Sequence, residues 1–497
     1  MAIVSRQRPF ASSPWQDLDP RRLELEHCLP PDHLARRLDV AVDRLDLSAF
    51  RHGYGRTGSQ AYAPALLLKV ILFETRGGRH SPAAWQRSAR ELAPVRWLLR
   101  GCQPSRSCWY AFRNRIAPYL EEWHRQVLAQ AVDEGLTPAA RGALDGTTIA
   151  ADASRRRLLD EAVLQRRIEE LRQAQVAAPA AATRPGWMAP TAEGRRRQSE
   201  RLQRAQERMD ALQQRNASKR ASKRKKRERI VVSPSDPEAA LGRDKEGVFR
   251  PVYNVQVVDD LDSPLVLAYA VFAQPNDAGL LGPMVARLKG ALGRPVQTLL
   301  LDSAYAGGAD LAAAAAAGVT VYAPSPPAVG GDPKQIPKGE FQWLPDEQAY
   351  RCPRGQLLRY AGASQQKRSG PETVSLQVYR CAAEHCRDCP LRARCTPRSD
   401  QGRTISRSEY EHLSEALQAR MATAEAKELY RLRGQTVELV NADWKAHRKL
   451  RRFAGRGLKR AGCQVGLTVL SHNLLTVHTA EKKVEKLSTP KPSEIAA

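Results

Sequence analysis

An apolar, strand-like segment, GALDGTTIAAD (residues 142–152), is cut off from the rest of its sheet. The other strand-like segments, VYNVQVVDD, LVLAYAVFAQ, TLLLDSAY and VTVYAP, begin only after residue 248. A charged stretch at roughly 155–230 lies between. Two adjacent hairpin-like strands are followed by alternating helix and strand, with helical patterns at Ala278–Leu292 and Gly308–Ala317. That order predicts an α/β fold with a mixed sheet, interrupted after its first strand.

Around this core the sequence divides by pattern. Residues 1–20 form an N-terminal tail, and 21–140 read as a helical domain that fits either DNA binding or an ordinary small bundle. Within it, Pro64 suits a first helical turn, Ser81-Pro82 an N-cap and N1, and Ser107 the cap of a helix carrying Trp109, Phe112 and Ile116. The first core strand occupies 141–154. A basic helical hairpin or coiled coil occupies 155–230, marked by Leu164, Ile168 and Leu171 on one helix and Leu202, Met209 and Leu212 on the other. Its end, KRASKRKKRER, is either a solvated arm or a contact for phosphates. The core continues over 231–325, a Cys-rich insertion spans 326–405, and helices at 406–478 complete the core before a disordered tail at 479–497.

The chain has 79 Lys and Arg against 53 Asp and Glu, a net charge of +26. Such a surface attracts phosphate-rich polymers in a salt-dependent way, which points to nucleic acid as partner. Three acids sit on or beside apolar segments of this basic chain: Asp145, Asp302 and Glu438. An unpaired buried charge is costly unless a partner or metal neutralises it. Each acid also has an ordinary reading: a hairpin turn at Asp145-Gly146, a helix N-cap at Asp302, a surface ion pair at Glu438.

Of nine cysteines, five cluster: Cys352, Cys381, Cys386, Cys389 and Cys395. Cys352, Cys386, Cys389 and Cys395 could hold a structural Zn²⁺, with Cys381 a fifth candidate and reduced, non-ligating thiols the alternative. The opening residues lack a long apolar stretch, and Leu66–Phe73 is too short to cross a bilayer and is interrupted by Lys69. A cytoplasmic, nucleoid-associated protein without a membrane partner is therefore expected.

A carboxylate on the first strand, another at the end of a later strand and a third on a helix beyond it resemble the RNase H-like core of the DDE transposases. The chain is similar to bacterial insertion-sequence transposases over nearly its whole length. YAPALLLKVILFETRGG, VRWLLRG and PSRSCWYAFRNR resemble their helical N-terminal domain, DGTTIAADAS their first-aspartate motif and LLLDSAY their second. SDPEAALGRDKEGVFRPVYNVQVVDD, with Tyr253, Asn254 and Gln256, resembles their insertion exit and second strand. Tyr430, Arg433, Glu438 and Lys445 fall on the family's tyrosine, arginine, glutamate and lysine signature, and RRFAGRGLKRAGCQVGLTVLSHNLL resembles the closing helices.

The resemblance implies that Asp145, Asp302 and Glu438 are catalytic and ligate two Mg²⁺ ions, with Mn²⁺ as a substitute. It implies DNA contacts by Arg433 and Lys445, extended by Arg448, Arg451, Arg452 and Arg456 unless these form a plain solvated face. The implied partners are double-stranded DNA, as transposon ends and target, and further copies of the chain in a dimer or higher oligomer. The implied activity is phosphodiester cleavage at terminal inverted repeats and joining of the freed 3′-hydroxyl ends to target DNA. Departures from the family pattern are Asn441 where an aromatic residue is usual, Asp152 for a common asparagine, and Ser303 and Ala304 for a small residue plus glycine. Two other readings stand beside it: an inactive or domesticated DNA-binding protein, and a metal-dependent DNA nuclease without strand transfer.

Overall fold

The interrupted strand becomes the centre of its sheet. The computed structural model describes residues 20–54, 60–176, 184–219, 221–244, 246–325, 335–367, 373–396 and 400–488. Residues 1–19 of the tail expected at 1–20, residues 177–183 of a bend expected between the two helices at 177–190, and 489–497 of the tail expected at 479–497 lie outside the described residues.

Eight helices come first: α1 (Pro20–Cys28), α2 (Leu34–Asp43), α3 (Ser48–His52), α4 (Pro64–Arg76), α5 (Pro82–Glu91), α6 (Ala93–Leu98), α7 (Arg106–Ile116) and α8 (Leu120–Asp133). Pro64 and Pro82 occupy first turns, where a missing N–H costs nothing, and the Ser81 side chain accepts from the Ala84 N–H as a cap. The cap of α7 is Ser105, which accepts from the Cys108 N–H, so the helix starts ahead of the expected Ser107. Leu38, Ile71, Trp85, Trp109, Phe112 and Trp123 fill one core between these helices.

Strand β1 (Arg141–Ala150) follows, then α9 (Glu161–Val176) and α10 (Ala192–Ala217). These two helices pack as a pair through Leu164, Leu171, Leu202 and Met209, all buried, with Ile230 and Val232 closing the cluster. The chain then returns through β2 (Ala240–Arg243), β3 (Phe249–Asp260) and β4 (Val266–Phe272), and continues with α11 (Leu281–Leu292), β5 (Thr298–Leu300), α12 (Gly308–Ala316) and β6 (Thr320–Tyr322). The hydrogen-bonded order is β2-β3-β1-β5-β6, with β4 also paired to β3. Strands β1, β3 and β4 are antiparallel neighbours, whereas β5 and β6 run parallel to β1. Asp145-Gly146 is therefore mid-strand and not a turn: Asp145 faces Val257 and Gly146 faces Gln256 across the ladder. This is the α/β, RNase H-like mixed sheet with a helical N-terminal region.

The Cys-rich insertion makes a second sheet. Strands β7 (Gln342–Leu344), β8 (Ala349–Arg351), β9 (Leu357–Lys367), β10 (Thr373–Arg380) and β11 (Thr404–Ser408) pair antiparallel in the order β11-β10-β9-β8-β7. Two short helices, α13 (Ala383–Arg387) and α14 (Arg392–Cys395), sit between β10 and β11.

Three helices close the chain: α15 (Glu411–Ala422), α16 (Ala424–Ala446) and α17 (Leu458–Ser488). Helix α17 is sandwiched. Val465 and Val469 join the sheet core with Val255, Val257 and Trp444, while Leu467, Leu470 and Leu474 join the N-terminal helical core. Asn473 clamps β4, accepting from the Val266 N–H and donating to its carbonyl. The helix also runs ten residues past the boundary expected at 478. Tertiary contacts extend it: Arg37 of α2 donates to the Thr479 hydroxyl, and Glu481 pairs with Arg44, the C-cap of α2.

Candidate functional site

Strand alternation turns Ala143, Asp145 and Thr147 to one face of the sheet, and α16 lies across that face. The 3–4 spacing of Tyr430, Arg433, Val437, Asn441 and Trp444 makes one stripe along the helix. Its tip is tied to β5, where the Tyr430 hydroxyl donates to the Leu301 carbonyl at 2.9 Å. Val437 packs with Ala143 and Leu300, Trp444 is buried, and Lys445 donates to the Thr147 hydroxyl.

Asp145 is the focus of this stripe. Arg433 Nη2 donates to its Oδ1 at 3.0 Å, and Asn441 Nδ2 donates to its Oδ2 at 2.9 Å. The unusual Asn441 thus acts as a neutral donor to a carboxylate, a role a phenylalanine could not fill. Such charge-assisted bonds are stronger than neutral ones and fix the carboxylate's direction.

Asp302 follows β5. The parallel register pairs Gly142 with Leu299 and Ala143 with Leu300. The ladder ends there; continued two residues past its last pair the register brings Asp302 level with Asp145, and both carboxylates act on the Tyr430 and Tyr305 hydroxyls. Asp302 also caps the short 3₁₀ turn Ser303–Tyr305, accepting from the Ala304 N–H, so the N-cap reading holds together with the juxtaposition. Glu438 lies on α16, three residues before Asn441 and seven before Lys445; its side chain is outside the described residues.

The electrostatics mark one acidic neighbourhood. Burial pushes the Tyr430 hydroxyl pKa up; Arg433 opposes this, and Asp302 and Asp145 add to it. Burial, then Asp277, Asp145 and Asp302, raise that of Tyr305. On the neighbouring strand Asp259 is buried with neither carboxylate oxygen hydrogen-bonded, and burial followed by Asp145 holds its pKa well above the usual carboxylate range. These directions agree: the site disfavours further negative charge, as expected where carboxylates crowd without a cation.

The opposite face of the sheet braces the Asp302 turn through Asn254 and Gln256, which the family pattern marks, and through Asp277, which it does not. Tyr305 donates to Gln256 Oε1, and Gln256 and Asn254 both donate to Asp277 Oδ1 at 2.7 Å. Gly146 makes room for this network, since a Cβ there would overlap Asp277 Oδ1 and Gln256 Nε2. Asn254 and Gln256 were legible as alternating polar residues inside an apolar strand; Asp277 offered only an Asn-Asp pair in a loop.

The expected basic residues do not act together. Arg433 and Lys445 lie at the acids, as above. Arg448 is buried and spent internally, paired with Asp443 at 2.8 Å and donating to the Arg76 carbonyl. It belongs to no exposed basic surface, because burial of an arginine demands this pairing. Arg451, Arg452 and Arg456 are exposed at the far end of β1, where Arg452 and Arg456 approach Asp152 at 3.6 and 3.3 Å.

The five clustered thiols gather around one end of the small sheet. Cys352, Cys381, Cys386 and Cys395 border its core. Burial raises the Cys381 thiol pKa, reinforced by Cys386, Cys352 and Cys395, and burial likewise raises Cys395 beside Cys386, Cys352 and Cys389. Among the described residues, however, no group of three or more His, Cys, Asp or Glu side chains is arranged to hold a metal ion. Among them, too, no helix is long and apolar enough to cross a membrane.

Two family models match the chain. One, described as "Transposase DDE domain", covers residues 351–478, which takes in β9, β10 and β11 of the small sheet, α15, α16 and most of α17, hence Glu438 but neither Asp145 nor Asp302. The other, described as "Transposase domain (DUF772)", covers 23–115 within the N-terminal helices. No curated protein and no solved structure matches the chain.

Proposed function

The chain belongs among the DDE-type insertion-sequence transposases, and from that premise we propose that it binds the terminal inverted repeats of an insertion sequence, cuts their phosphodiester bonds and joins the freed 3′-hydroxyl ends to target DNA. What supports this reading is the parallel register of β1 and β5, which continued two residues brings Asp302 level with Asp145, together with α16, which donates to Asp145 and also carries position 438.

Transposases of this family generally use divalent metal ions. Asp145, Asp302 and Glu438 would hold Mg²⁺. The donor set fits: hard carboxylate oxygens suit Mg²⁺, and the unpaired Asp259 beside Asp145 belongs to a site built for added positive charge. When bound, two such ions supply Lewis acidity to the attacking and leaving oxygens of an in-line displacement. The chain's own contribution is orientation and charge. Arg433 and Asn441 aim Asp145, Tyr430 fixes α16 against the strand that ends in Asp302, and Lys445 stands one strand repeat further along. Arg433 and Lys445 would take phosphate oxygens of the DNA. Cys352, Cys386, Cys389 and Cys395 would hold a structural Zn²⁺, with Cys381 adjacent, and the active form would be a dimer or higher oligomer bridging two DNA ends.

The test is cleavage of DNA carrying the element's own ends, in Mg²⁺ or Mn²⁺. Asp302→Asn should lower cleavage by on the order of 10³-fold, with DNA affinity nearly unchanged. Unaltered cleavage by this variant would sink the reading. Cleavage by the wild type without joining to a target duplex would leave a nuclease in its place.

A further inference from the structure

 Twelve residues, two from α7, five from α10 and five from positions 456–463, would be unremarkable separately, yet the fold brings their cations into one cleft. The cleft has a volume of about 770 Å³, and seven Lys or Arg line it against three Asp or Glu.

The acids do little to neutralise it. Asp236 already accepts from the Tyr253 hydroxyl at 2.7 Å and from the Gly457 N–H at 3.2 Å, and Glu238 accepts from the Leu458 N–H. The cations press on one another instead. Burial, then Arg456 and Arg204, lower the pKa of Arg201, and burial, then Arg460, lowers that of Arg113. Arg201 Nε is buried without a hydrogen-bond partner. Like charges gathered in a half-buried cleft are costly to the fold, and a polyanion relieves that cost.

We propose that this cleft, through Arg113, Arg201, Arg204, Arg456, Lys459 and Arg460, grips the sugar-phosphate backbone of the DNA duplex whose phosphodiester lies at Asp145. The inference rests on the transposase reading and extends it to a site to which no role has been assigned. Arg456 connects the two places, since its Nε donates to the Asp152 carbonyl at the end of the strand that carries Asp145. Seven residues of extended chain span roughly 23 Å, or about seven base pairs of duplex. A duplex engaged at Asp145 therefore needs to extend no more than about one helical turn to come level with Asp152 and the cleft beside it. Guanidinium groups suit this occupant because they take phosphate oxygens in pairs.

The test uses the full chain and a 30-base-pair mixed-sequence duplex without divalent metal, with affinity followed by fluorescence anisotropy from 50 to 300 mM salt. Each phosphate contact contributes about 0.9 to the slope of log affinity against log salt. The Arg201→Gln, Arg204→Gln, Arg460→Gln variant should lose about 2.7 of that slope and roughly 10- to 100-fold in affinity at low salt, while the three-lysine counterpart keeps most of the slope. Melting curves check that both variants fold, and the lysine form decides the matter if the glutamine form does not. An unchanged slope in the glutamine variant overturns the cleft assignment alone, because the wild type still binds. Failure of the wild type to bind the duplex overturns the transposase reading with it. An RNA stem-loop that displaces the duplex from the wild type, and does so less well from the variant, reassigns the cleft to RNA and overturns the proposal.

Discussion

The two sheets solve the problem of burial in opposite ways. The large one lies between two extensive apolar cores, one against α11 and α12 and the other against α16 and α17, and it can hold polar and charged groups inside. Asp145, Asp259, Asn254 and Gln256 all sit on its strands, yet buried valines and leucines surround them, each contributing about 1.5–3 kcal/mol. The small sheet has a core of Ile336, Phe341, Tyr350, Leu358, Tyr379, Cys381 and Ile405, with three more cysteines packed against it, and is tied to α15 by the Arg407–Glu415 pair. A core of that size seldom sustains a sheet alone, and small units usually carry a staple. The difference teaches that a sheet with surplus burial can carry chemistry, whereas a sheet without it needs its reactive side chains for support.

If that contrast is right, removing metal should divide the molecule. A strong chelator, or Cys386→Ser with Cys389→Ser, should open residues 335–408 to protease and to hydrogen exchange by several kcal/mol while the large sheet stays protected. Metal analysis of the purified protein should find about one zinc per chain. Unchanged protection after chelation, with no zinc present, would leave the small sheet held by packing alone.

Acid should divide it the other way. His124 is buried, its Nε2 bonded to the Val266 carbonyl of β4, and burial lowers its pKa to about 4. The neutral form is kept in the folded state, so the stability it contributes is present above pH 6.5 and is lost as pH falls toward 4, to at most about 3 kcal/mol. Hydrogen exchange at β4 should quicken through that window, and His124→Gln should flatten the dependence. The small sheet, whose His385 is exposed, should not follow the same slope.

The smallest expected effect is the most local. Gly146→Ala pushes a methyl group into Asp277 and Gln256 and should cost about 2 kcal/mol by thermal melting, with cleavage falling as the Asp302 turn loses its brace. A neutral result would mean that the network behind Gly146 can shift freely, and that large-sheet packing is looser than the contrast requires.

Much of the large sheet was legible because burial on both faces writes itself as apolar runs, and β1, β3, β4, β5 and β6 all coincide with such runs. The pairing of α9 with α10 was legible from helical spacing. The small sheet was not: β9, LLRYAGASQQK, and β10, TVSLQVYR, are largely exposed and mix polar with apolar residues, so only the cysteines stood out. Arg448 read as one more surface cation, since nothing in a basic run tells which arginine will meet Asp443 inside the protein.

By itself, then, the sequence determined the α/β class, the interruption after the first strand, the acidic positions and the basic surplus, because these are properties of residue type and local period. Only the tertiary structure decided that Asp302 stands beside Asp145, that Asn441 serves as its donor, and that arginines from α7, α10 and the start of α17 share one cleft. Those are distances between segments far apart in the chain, set by strand register and by the seating of α16 and α17 on the sheet, and no local pattern encodes them.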